Sequence, residues 1–190
     1  PLGVSSHLKK WGVFNENIYE MDWWDEIKID NLNFICSPAQ HFSGRKGFFD
    51  SQKTLWASWV IKSNLKSLYF GGDSGYSDHY KQIGLKHGPF DIVFMDSGQY
   101  NERWKASHNM PHEVVKGFED LNGKFLVPIG WGMFTLAMHN WYDPPLIIND
   151  LAEKNNFKML TPLIGQIMDI NKLPKKNKWW ESMIKKDNRI

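Results

Sequence analysis

Polar and apolar residues alternate through Glu26-Ile27-Lys28-Ile29, and an Asp30-Asn31 turn leads from there into the apolar stretch 32–37, the pattern of two paired strands. Ile18-Tyr19-Glu20-Met21 alternates in the same way and reads as a further strand. Residues 54–62 are strongly β-prone and pair, through the Ser63-Asn64 turn, with 67–70. Ahead of these, residues 5–12 read as a short serine-capped helix closed by glycine. The glycine-rich, aromatic stretch 44–53 reads as a loop.

After Asp73 the rhythm changes. Residues 78–86 carry helical spacing and stop at His87-Gly88-Pro89, and 90–95 is a buried-looking strand. A helix over 111–121 starts with proline and ends at Asn122-Gly123, and a strand over 125–129 follows. A helix over 145–155 and a strand over 157–160 repeat the alternation. Strand–helix–strand units in this order predict an α/β architecture with no internal repeat.

The 190 residues suffice for one domain with a sizeable core, and ten Trp, twelve Phe and six Tyr exclude a disordered chain. A formal charge of +2 gives no indication of a nucleic-acid partner. The basic excess lies late, in Lys172, Lys175, Lys176, Lys178, Lys185, Lys186 and Arg189, so residues 171–190 read as a basic tail, either a solvated end or a docking arm that meets anionic lipid. One cysteine, Cys36, excludes an internal disulfide and favours a reducing, cytoplasmic compartment. No apolar run reaches membrane-spanning length, and no signal peptide stands at the front. The opening Pro1-Leu2-Gly3, without methionine, reads as the interior of a longer polypeptide.

Candidate chemistry sits where strands end. His41, in Pro38-Ala39-Gln40-His41, follows one predicted strand, and Asp73, in Gly71-Gly72-Asp73-Ser74-Gly75-Tyr76, follows another. A neutral imidazole and a carboxylate held at strand ends are parts of hydrolytic zinc sites. Taken alone, His41 is more often a structural histidine and Asp73 a turn former.

Further motifs shift that balance. They are Ser6-His7-Leu8, Thr54-Leu55-Trp56-Ala57-Ser58, Gly88-Pro89-Phe90-Asp91, Gly98-Gln99-Tyr100, His108 ahead of Pro111 and Glu113, and Trp131-Gly132 followed by His139 and Trp141. In order and spacing over residues 1–145, these together with the two strand-end motifs resemble the metallo-β-lactamase superfamily. The closest branch is that of N-acylphosphatidylethanolamine-hydrolysing phospholipase D and ascorbate-6-phosphate-lactonase-like metal-dependent hydrolases.

The resemblance implies an αββα sandwich with two divalent metals, zinc in the first instance, where two facing sheets meet. It implies that residues 1–170 are mainly the C-terminal half of such a domain, because the His-x-His-x-Asp-His loop of the first half is absent from this sequence. His41 then matches a metal ligand, and Asp73 matches the carboxylate that bridges the metals. The family's last histidine ligand precedes Trp-Gly, where this chain has Gly130. His108 matches a histidine facing the active site, able to give a proton to a leaving group or hydrogen-bond a phosphate, and equally readable as a loop residue beside the helix at Pro111. His139 matches a histidine near the cleft, as readily a supporting or packing residue as a catalytic one.

The bland reading covers the remaining candidates. Arg45 and Tyr100 stand as surface residues that could meet an anionic substrate, His7 lies on a short helix near the site, and the aromatic loop 42–49 could line an acyl-chain groove. His79, His87 and His112 fall on helices or helix ends and need no functional role.

The expected activity is metal-dependent hydrolysis of a phosphodiester or related, lipid-like ester, incomplete or absent in this chain as it stands. The alternative is an inactive remnant that keeps the fold for binding or assembly. In either case the inner face of the sheet would be apolar and uncovered. The chain would then need its missing N-terminal half, a partner or self-association.

Overall fold

The structure, a computed structural model, describes residues 1–44, 51–169, 171–172 and 178–187, and of 185–187 only the backbone. Seven strands form one sheet in chain order: β1 (Glu26–Ile29), β2 (Leu32–Pro38), β3 (Ala57–Lys62), β4 (Ser67–Phe70), β5 (Phe90–Asp96), β6 (Gly123–Ile129) and β7 (Lys158–Met159). The pairs β1–β2, β2–β3 and β3–β4 are antiparallel, and β4 to β7 run parallel. Parallel neighbours need a crossover long enough to hold a helix. The sequence supplies these as α2 (His79–His87), α3 (Pro111–Asp120) and α4 (Asp143–Lys154).

One face of the sheet carries the core. Ile35, Val60, Tyr69, Val93 and Leu126 lie on successive strands in a cross-strand row, all buried. Tyr80 and Ile83 of α2, Val114 and Phe118 of α3, and Ile148 and Ala152 of α4 cover them. The C-terminal helix α5 (Trp179–Asp187) adds Trp180, which is 0% exposed. Its neighbour Trp179 stacks on Trp131 at 5.3 Å and on Trp141 at 6.4 Å. These two residues of the basic tail therefore pack on the core, because two adjacent indoles carry more apolar area than lysines can keep in water.

The opposite face differs. Two cross-strand rows run along it, Phe34-Ile61-Leu68-Ile92-Phe125 and Cys36-Trp59-Phe70-Phe94-Val127. Leu160 and Met168, from the stretch after β7, pack on β5 and β6 and bury Ile92 and Val127. Over β2 to β4 the rows stay open among the described residues except at Cys36, which is buried: Phe34, Trp59, Ile61 and Leu68 are half-buried and Phe70 is 41% exposed.

Two local expectations fail. Residues 18–21 form no strand; a 3-10 turn over Asn15–Asn17 precedes them, and Trp24, at φ 75°, turns the chain before it reaches β2. The backbone bonds that a strand there would need are taken instead by Trp24 and Asp25, which pair with Cys36. The first helix, α1 (Ser5–Lys10), has Val4 rather than serine at its N-cap, because the Ser6 hydroxyl turns back to donate to the Gly3 carbonyl at 3.1 Å. Among the described residues no helix is long and apolar enough to cross a membrane.

The open face generates a prediction. The isolated chain is expected to self-associate in light scattering. Phe70→Lys, on an already exposed position, should shift it towards monomer at a stability cost within about 1 kcal/mol. A monodisperse monomer of the unmodified chain would contradict this.

Candidate functional site

Because β2 is antiparallel to β3 and β3 to β4, strands β2, β4, β5 and β6 all point the same way. Their carboxyl ends therefore share one edge of the sheet, the place where open α/β sheets gather ligands. His41 follows β2, Asp73 follows β4, Asp96 closes β5 and Gly130 follows β6. The strands ahead of His41 and Asp73 are not adjacent, since β3 lies between them; their common direction brings the two residues to one edge.

Asp96 organises this edge. It is 2% exposed, and its Oδ2 accepts a 2.6 Å bond from Nδ1 of His108 and a longer one, 3.3 Å, from the Ser74 N–H. Its Oδ1 accepts from the Gly98 N–H at 3.3 Å. The Asn109 side chain donates to the Asp96 backbone carbonyl at 3.1 Å and to the Tyr80 hydroxyl oxygen at 2.9 Å, tying the strand end to α2. The bond to Asp96, reinforced by its charge and that of Asp73, holds His108 above the usual histidine range against the opposing effect of burial. Burial pushes the Asp96 carboxyl up, and His108 pulls against it. Asp73 is exposed and lines the same cavity as His108.

His41 joins the group edge-on, its ring 5.4 Å from that of His108. Its Nδ1 donates to the Phe42 carbonyl at 2.9 Å, and the ring stacks on Phe42 at 4.5 Å. A carbonyl can only accept, so the hydrogen sits on Nδ1 and Nε2 keeps its lone pair. That Nε2 is buried and has no hydrogen-bond partner among the described residues. A buried imidazole nitrogen left orphaned while its partner nitrogen is anchored to a carbonyl is an arrangement that metal-binding histidines adopt. Beside these groups opens a cavity of about 490 Å³, walled by Phe42, Trp104 and Leu136 and reaching Asp73 and His108.

The donors fit a divalent ion only as an incomplete shell. Among the described residues no three His, Cys, Asp or Glu side chains stand close enough to hold one ion. Gly130 explains part of the shortfall. A Cβ at this position would lie 3.0 Å from Asp96 Oδ1, so the position does face the site, but its φ of 80° is one that side-chain-bearing residues rarely adopt. The neighbouring loop is locked against it: a Cβ on Gly98 would meet the Gly130 carbonyl oxygen at 2.0 Å.

His139 stands apart from the cavity lining. Its ring stacks on Tyr100 at 4.1 Å, its Nδ1 donates to the Asn140 carbonyl at 2.9 Å, and its Nε2 is buried and unpartnered among the described residues. Tyr100 is half-buried rather than a surface residue, and burial raises its hydroxyl pKa. Arg45 and most of the aromatic loop 42–49 lie outside the described residues. His7 meets the ring of Trp11 at 6.2 Å, His87 stacks on Trp24, and His112 is exposed on α3.

Sequence reasoning passed over Asp96, although it ends a buried strand as His41 and Asp73 follow theirs. It also assigned no role to His79, which forms the layer behind the site. The Ser74 hydroxyl donates to the Gly75 carbonyl at 2.9 Å and accepts from the Gln40 N–H at 3.0 Å, so His79 Nε2, at 3.3 Å, is the donor to it. The Ser77 hydroxyl then donates to His79 Nδ1 at 2.6 Å. This fixes a neutral histidine, and burial pulls its pKa down to about 4.

A protein-family profile described as "Beta-lactamase superfamily domain" matches residues 1–131. An uncharacterized protein of Mycobacterium tuberculosis is 40% identical over 183 residues, 95% of this chain and 49% of the relative. N-acyl-phosphatidylethanolamine-hydrolyzing phospholipase D 1 of Caenorhabditis elegans is 30% identical over 155 residues, 76% of this chain and 43% of that protein. This chain thus spans about half the length of the curated relatives it matches. Igni18, a metallo hydrolase from the archaeon Ignicoccus hospitalis, shares the fold at a TM-score of 0.64 and 16% identity, over 85% of this chain and 63% of that one.

His79 supplies a pH test. Its folded pKa lies below the unfolded value of 6.5, so the unfolded chain takes up the proton first as the pH falls. The stability that it contributes is complete above about pH 6.5 and declines towards pH 4, by up to roughly 3 kcal/mol. Urea unfolding across this range should show the decline in the unmodified chain and a flatter profile in His79→Gln.

Proposed function

The chain belongs to the metallo-β-lactamase superfamily, and on that footing we propose that it carries part of the active site of a metal-dependent hydrolase acting on a phosphodiester or related ester. The observation that carries this reading is the orphaned, buried Nε2 of His41, whose ring lies edge-on to that of His108 in the Asp96–His108 pair, with an apolar cavity lined by His108, Asp73 and Phe42. His41 Nε2 and Asp73 would hold a divalent ion, zinc being the first candidate for an imidazole and carboxylate set. Such an ion, when bound, supplies an acidified water near neutral pH.

The chain's own residues do the rest. His108, kept protonated more readily by Asp96, presents Nε2 to the cavity and can give a proton to the departing oxygen of the ester. Phe42, Trp104 and Leu136 exclude water and accept the apolar part of a lipid-like substrate. His139, against Tyr100, is assigned a supporting role on the same edge.

The half-length match supports a division of labour across a longer polypeptide or an assembly, with the open sheet face covered by the other part. The free, buried Cys36 favours the cytoplasm, and the lysines of 172–189 favour peripheral contact with anionic lipid.

A second reading has its own support. Gly130 and the lack of a third donor among the described residues favour a remnant that keeps the fold for binding or assembly.

Zinc content separates the two readings. Under the first, the chain binds zinc, and His41→Ala or Asp73→Asn weakens binding by roughly tenfold or more. Absence of zinc from both the unmodified chain and Gly130→His would favour the remnant.

A further inference from the structure

We propose that Asp96 is the positioning residue of this site: it sets which nitrogen of His108 faces the cavity. This rests on the reading of His108 as the group that meets substrate. An imidazole offers two nitrogens with different directions and, when neutral, only one hydrogen. In His108 the Nδ1 edge is spent on Asp96 at 2.6 Å, and a carboxylate accepts. The hydrogen therefore stays on Nδ1. Nε2, on the far side of the ring, is the atom left for the cavity that His108 lines.

The carboxylate is itself unable to turn. Backbone N–H groups of Ser74 and Gly98 hold one oxygen each, from the loops after β4 and β5. Asn109, the residue after His108, anchors the Asp96 carbonyl and reaches Tyr80 in the core. Both ends of the Asp96–His108 bond are thus pinned to a common buried frame, so the ring direction is set before any ligand arrives. The competing view makes Asp96 only an acceptor for two loop N–H groups, with His108 an incidental neighbour. The two views differ in what removal of the carboxylate does to the imidazole proton.

The test is long-range 1H–15N NMR of histidine-labelled chain at alkaline pH, where the rings are neutral, with His108→Gln to assign the resonance. The proposal expects the His108 hydrogen on Nδ1 in the unmodified chain. Asp96→Ala should move it to Nε2, changing the tautomer ratio by roughly tenfold or more, with far-UV circular dichroism unchanged. Should Asp96→Ala fail to fold, Asp96→Asn serves: its single, neutral oxygen is a weaker acceptor and cannot take the places of both carboxylate oxygens towards the Ser74 and Gly98 N–H groups and His108, and the shift has the same direction.

A hydrogen on Nε2 in the unmodified chain overturns the proposal, and so does an unmoved tautomer in a folded variant. These readouts need neither bound zinc nor turnover, so failure of the hydrolase reading and failure of this one are seen separately.

Discussion

The edge of this sheet is organised around one buried carboxylate. A charge taken out of water must be met by hydrogen bonds or lose its proton, and Asp96 is met from three directions at once. The need to satisfy it draws together the loops after β4 and β5 and the segment before α3. His108 is therefore held by the same requirement that closes the fold at this edge. Behind it, Ser74 links the Asp96 frame to Gln40, the residue before His41, and to the neutral His79. The candidate ligands stand on a polar layer whose members satisfy one another, and this rigidity keeps the orphaned His41 nitrogen in place.

Much of this was legible in the chain. The change from alternating strands to strand–helix units near Asp73 marks where the sheet turns from antiparallel to parallel, and the elements after it follow the expected order. His41 and Asp73 were readable because each follows an apolar run. The same logic applied to residues 90–95 leads to Asp96, but an aspartate followed by Ser-Gly has the look of a turn, and burial is a property of neighbours rather than of local pattern. Residues 18–21 misled for a related reason: their alternation was real, but the partner edge at Cys36 was already taken by Trp24 and Asp25. The lysines of the tail masked its indoles. Trp180 enters the core through contacts with residues far away in sequence, which no local window reveals.

The two faces of the sheet record different obligations. One is sealed by four helices, including the last. The other presents two rows of aromatic and aliphatic side chains, closed among the described residues at Cys36 and where the stretch after β7 reaches β5 and β6. An apolar surface of this kind, left open among the described residues, belongs to a layer that normally has another layer upon it. The half-length match to the curated relatives is in keeping with that.

Gly130 and Gly98 carry a consequence for engineering. With φ at 80° and its carbonyl pressed against Gly98, the backbone at 130 has a shape that residues with a side chain rarely adopt. Placing a histidine there is then not an independent change, because relaxing the backbone at 130 moves the carbonyl that Gly98 packs against. The two touching loops form a single unit, and a donor at this corner has to be designed into both of them together.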